Sequence, residues 1–213
     1  MNASAPAPIF TRLQLTRLLG SLVLLILAAL LAPEDKVLGA ASHLVYQHGA
    51  WVWTALIVFS AASLAALAAL VTRRVELHAW AQALGRAGMC FWLTYLPMSL
   101  WVMQVTWGGL FLDEPRWKTP FTFAVIGVLL HTGLWLLDRP LLTSAANLVF
   151  GPALLFALSR TVNILHPDDP ILSSNSPGIQ ASFALLLLLA LLIAAQVAMA
   201  WRRAAHLPHT QAG

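Results

Sequence analysis

The stretch Trp51-Val-Trp-Thr-Ala-Leu-Ile-Val-Phe-Ser-Ala-Ala-Ser-Leu-Ala-Ala-Leu-Ala-Ala-Leu-Val71 decides the fold class. It holds no charged side chain, and with histidine neutral the charge-free run reaches back to Val37. Arg73 and Arg74 close it. At about 1.5 Å per residue, such a run crosses a hydrocarbon core of about 30 Å as a helix. Lipid offers no partner to open backbone groups, so a helix is required.

Working outward, five further apolar runs are expected to span, at about 13–32, 82–105, 120–137, 141–163 and 179–201. The second run itself is read as about 44–71. The chain is 60% hydrophobic and 9% charged, against about 45–50% and about 25% in soluble domains. The expectation is an all-α integral membrane protein, a single six-helix bundle over residues 1–213. The apolar run behind Arg12 and Arg17 is long enough to span and no A-x-A-like site closes it, so it reads as a retained helix. Pro97 should kink the third span, where Gly85 and Gly88 allow close helix contact. Asn147 could hydrogen-bond across helices.

Charge placement sets the expected topology. Arg12, Arg17, Arg73, Arg74, Arg86, Arg139, Arg202 and Arg203 fall on one side, and Lys36, Arg116, Lys118 and Arg160 on the other. Eight basic residues against four predict that the first side is cytoplasmic, with both termini inside. The scattered basic residues give a net charge of +4 and do not suggest nucleic-acid binding. Cys90 is the one cysteine, which rules out an internal disulfide and a cysteine-based metal cluster. It reads as a packing residue.

The polar stretch Trp107-Gly-Gly-Leu-Phe-Leu-Asp-Glu-Pro-Arg116 breaks the apolar pattern. It lies in an expected outer loop over 106–119. His48 and His166 share its side of the membrane. Neutral imidazole is a common ligand of haem iron, and two histidines can bind it from both faces. Aromatic residues such as Trp51 can stack on a porphyrin, and Arg116, Lys118 and Arg160 could pair with its propionates. The plainer reading makes the tryptophans an interfacial belt and each histidine an interfacial polar residue. His131 falls inside the fourth span, near mid-membrane, where ionisable groups are costly. It could be an inner ligand, a quinone-site residue or a structural donor to the fifth helix.

These residues resemble a known family. Tyr46-Gln-His48-Gly-Ala-Trp51 looks like the first histidine segment of the haem-handling cytochrome c assembly proteins, especially the six-span CcmC type. Asn163-Ile-Leu-His166 resembles their second. Trp107-Gly108, with Arg116 eight positions after Gly108, has the spacing of their tryptophan-rich loop. Leu110 and Phe111 stand where that loop has paired tryptophans, Asp113 stands at its third tryptophan, and Glu114 stands at its aspartate. The resemblance implies bound haem b, held by His48 and His166 as iron ligands, with Trp51, Trp107, Gly108, Phe111, Arg116 and Arg160 around it. It further implies a bacterial inner-membrane location with periplasmic haem-side loops, and other cytochrome c maturation subunits as partners.

The expected function is therefore a haem carrier of cytochrome c maturation, without turnover chemistry. The alternative is a structural or accessory subunit of a larger membrane complex, with or without haem. A small cytochrome b using His131 ranks last, because no second mid-span histidine matches it. The Pro- and Gly-broken helices also leave room for a transporter, without showing a substrate.

Overall fold

The computed structural model describes residues 9–162, 164–166, 171 and 174–205. Asn163 of the second histidine segment, the turn residues Pro167–Pro170 and the tail from His206 lie outside the described residues.

Among the described residues six helices follow one another: α1 (Arg12–Leu30), α2 (Ala41–Thr72), α3 (Val75–Trp107), α4 (Pro115–Leu137), α5 (Pro140–Ser159) and α6 (Pro177–Ala205). The chain is all-α among the described residues, and five of the helices are long and apolar enough to cross a membrane. The protein is thus a multi-pass membrane protein. The exception is α3, whose Trp, Tyr, Gly and Pro content lowers its hydropathy although it has 33 residues, about 50 Å.

Local chemistry sets the ends. Thr11 and Gln14 form a capping box that starts α1. Asp35 accepts the backbone N–H groups of Val37 and Leu38 at 2.8 and 3.1 Å, shaping the turn into α2. Arg73 is left-handed at φ 56° and ends α2. Only Arg74 separates it from α3 in extended backbone, so Glu76, His78 and Trp80 lie within the helix. The expected spans of about 44–71 and 82–105 left 72–81 between them, most of which is helix, and Arg86 stands three turns inside α3. Pro97 is carried within α3 without a break in the helix. Pro115 and Pro140 start α4 and α5, where a missing N–H costs nothing. The central loop is accordingly shorter than expected, running from Gly108 to Glu114.

Residue pairs give the helix directions. His48 meets Tyr95, Trp51 meets Phe91, and Phe59 meets Trp92, so α2 and α3 are antiparallel. The His78 imidazole bonds Ser144 at 2.6 Å, and Asn147 Nδ2 donates to the Ala81 carbonyl at 3.2 Å, so α3 and α5 are parallel. Gln196 reaches Ser21 and Arg203 reaches Ile9, so α6 returns alongside α1. Ile9 and Arg203 therefore lie at one end of the bundle, with the α2–α3 turn.

Phe59 anchors the interior. Its ring meets Phe150 at 5.1 Å and Trp92 at 6.2 Å, both edge-on. Gly88 and Gly151 let it in: a Cβ on Gly88 would sit 2.7 Å from the Phe59 ring, and one on Gly151 2.9 Å from the Phe59 carbonyl oxygen. Ser63 Oγ donates to the Asn147 carbonyl at 2.7 Å. Asn147 thus ties α2, α3 and α5 together, the cross-helix role its position suggests.

Candidate functional site

A cavity of about 490 Å³ opens at the end of the bundle opposite Ile9 and Arg203. That volume lies in the usual range for small-molecule and cofactor sites, about 300–1,000 Å³. The first turns of α2 bring His48, Gly49 and Trp53 to it. The second half of α3 brings Trp92, Tyr95, Met103 and Trp107. The start of α4 brings Glu114, Arg116, Trp117 and Pro120, and the segment before α6 brings His166 and Ile171.

His48 sits two turns into α2 with its ring centroid 5.7 Å from that of Tyr95. Its Nδ1 is buried without a hydrogen-bond partner. A buried imidazole nitrogen left unpaired is costly, and such a group calls for an explanation. His166 is half-buried and close enough to His48 for their charges to interact. The two histidines come from positions 118 apart, and they line one wall system.

The His166 segment has no regular structure, so its backbone groups need other partners. Glu114 supplies them. Only 4% exposed, its carboxylate accepts the N–H of Ile164 at 3.2 Å and of Leu165 at 3.3 Å. It holds that segment to the start of α4.

Of the eight residues expected to hold a cofactor, His48, His166, Trp107 and Arg116 line the cavity. The other four lie off its lining. Trp51 turns toward α3, where its indole N–H donates to Thr94 at 2.8 Å and its ring lies 4.4 Å from Phe91. Gly108 is left-handed at φ 72° and terminates α3, a conformation glycine adopts without penalty. Phe111 packs edge-on to Trp107 at 6.1 Å. Arg160 ends α5 and lies over the Phe156 ring at 5.5 Å. Lys118 pairs with Asp113 in solvent at 2.7 Å.

Sequence reasoning missed Trp92, Tyr95, Trp117 and Glu114. Trp92 is fully buried and donates to the Pro120 carbonyl at 3.2 Å, fixing α3 against α4. Tyr95 lies seven positions after Gly88, on the α3 face that α2 covers, and that helical spacing was the available signal. Glu114 lay in the polar stretch 107–116 at the resembled loop's aspartate position, but nothing in the sequence marked its bonding partners, which lie 50 and 51 positions away.

Among the described residues, no group of three or more His, Cys, Asp or Glu could hold a bare metal ion. A haem iron asks less of the protein, since the porphyrin supplies four ligands and two side chains complete the set. No protein-family model and no curated protein matches the chain.

Proposed function

We propose that this protein is a haem carrier of the cytochrome c maturation type, holding haem b in the cavity of His48 and His166. One observation carries the reading. Two histidines far apart in sequence line one cavity with an aromatic wall and a guanidinium. In this reading His48 and His166 ligate the iron, Arg116 pairs with a propionate, and Trp107 and Tyr95 pack against the ring. Glu114 positions His166. Bound haem would supply an iron centre open to reduction, while the protein's residues bind, orient and release it. No substrate turnover is part of the reading.

The same reading includes six crossings. The antiparallel packing of α3 on α2 favours a crossing by α3 as well, despite its lower hydropathy. Both termini then share the arginine-rich side, which the positive-inside rule places in the cytoplasm. The cavity faces the periplasm of a bacterial inner membrane, where other maturation subunits would receive the haem.

The test is the haem content of purified protein by pyridine haemochrome. His48→Ala and His166→Ala should each lose most of the haem, and His78→Ala should keep it. Equal haem in all three variants would refute the site.

A second reading, an accessory subunit of a larger membrane complex, is favoured by Leu110-Phe111-Leu112. These side chains are 54%, 42% and 51% exposed in the loop beside the cavity. Three adjacent exposed apolar residues suit a partner's surface. Photo-crosslinking from position 111 in whole membranes would capture that partner; the haem-carrier reading alone requires no stable crosslink.

A further inference from the structure

A second pocket, of about 360 Å³, lies toward the end of the bundle that holds Ile9 and Arg203. Arg86, Leu93, Val128, His131, Trp135 and Trp201 line it. Its depth follows from its neighbours. Trp201 directly precedes Arg202, which pairs with Glu76 at 2.6 Å and covers the Trp80 ring at 4.5 Å. His131 stands six positions before Leu137, so about 9 Å from the end of α4. It is therefore nearer the helix end than the mid-membrane depth expected for it.

The polar groups here call for an oxygen-rich, anionic ligand. Arg86 is a permanent cation with five donors. Its guanidinium lies over the Trp201 ring at 5.0 Å. Among the described residues no carboxylate comes within ion-pair distance of it. Asp138, exposed at the end of α4, acts on it only through space. Beside it, His131 Nε2 is buried with no hydrogen-bond partner. Ionisable groups at membrane depth are rare and mark binding sites or pathways.

The walls say where the ligand comes from. Trp135 is 66% exposed, Val128 41% and Leu93 39%, and the first two lie on α4, which is long and apolar enough to cross a membrane. The pocket is thus open sideways, toward acyl chains. Basic pockets between membrane helices near the inner surface suit lipid head groups.

We propose that this pocket binds an anionic phospholipid of the adjoining leaflet. Arg86 takes its phosphate, His131 bonds one of its ester or glycerol oxygens, and an acyl chain runs along Leu93 and Val128. This site is separate from the His48–His166 cavity and does not depend on the haem reading.

The test is native mass spectrometry of the full chain in detergent, with phosphatidylglycerol, phosphatidylcholine or ubiquinone added. The wild type should retain one phosphatidylglycerol with about tenfold preference over phosphatidylcholine, the scale of one charge-assisted contact. Arg86→Gln should abolish the preference and His131→Ala should weaken it, with haem content unchanged. Equal retention of the two phospholipids by the wild type would overturn the proposal without reference to any variant. So would displacement of phosphatidylglycerol by ubiquinone, which would make the pocket a quinone site.

Discussion

The Glu114 carboxylate accepts the backbone N–H of Leu165, 51 positions away, at 3.3 Å. The second oxygen takes the N–H of Ile164 at 3.2 Å. One acidic side chain thereby fixes the segment that carries His166. Glu114→Gln keeps the shape and one acceptor but removes the charge. The expected loss is about 1–2 kcal/mol, the worth of a charged hydrogen bond over a neutral one. If Glu114 positions His166, the variant should release haem several-fold faster while its reduced spectrum stays six-coordinate. An unchanged release rate would assign Glu114 to folding alone.

The cavity separates two tryptophans that the sequence treats alike. Trp107 lines it, whereas Trp51 bonds Thr94 and packs on Phe91. Trp107→Ala should weaken haem retention. Trp51→Phe should keep the haem but lower thermal stability by about 1 kcal/mol, the value of the lost hydrogen bond. Haem dissociation and thermal unfolding, measured on both variants in detergent, distinguish them. The opposite pattern would move the site to the other face of α2.

The bundle should be sensitive at Gly88. A Cβ there would stand 2.7 Å from the Phe59 ring, which is itself packed on Trp92 and Phe150. Gly88→Ala should cost about 1–3 kcal/mol, as overpacking does. Gly133, with nothing within 4 Å of its Cβ position, is the control: Gly133→Ala should be neutral or slightly stabilising. A stable Gly88→Ala protein would mean that Phe59 can yield.

The helices were legible because each is an apolar run bounded by Arg, Pro or Gly, as with Arg73 after α2 and Pro140 before α5. The start of α3 was not. Glu76 and His78 depress local hydropathy, but helix formation follows backbone bonding, which resumes at Val75 directly after Arg74. Of the expected site residues, His48, His166, Trp107 and Arg116, picked out by residue type, are the ones that line the cavity. The orientation of Trp51 was not legible, because α2 is apolar on all faces and its sequence does not mark which one lines the cavity. The bonding role of Glu114 was not legible, because its partners are backbone groups of a distant irregular segment.

The Asp113–Lys118 pair should matter little. Both side chains are exposed, and such pairs are screened by water and salt. Lys118, through its hydrogen bond and its charge, holds the Asp113 carboxyl below the usual carboxylate range. Any stabilisation from it is present above the unfolded carboxylate pKa and disappears as pH falls through the lower folded value. Asp113→Asn should leave the unfolding temperature at neutral pH unchanged within error. A clear drop would give the loop a structural role beyond a solvated ion pair.

The most direct measurement is the absorption spectrum of the purified protein, as isolated and after dithionite, beside the His48→Ala/His166→Ala double variant. The account predicts a Soret band with sharp reduced α and β bands in the wild type, absent from a double variant that remains folded and monodisperse. A wild type with no haem bands, even after haem is supplied during purification, would contradict it. A folded double variant with the wild-type spectrum would contradict it equally.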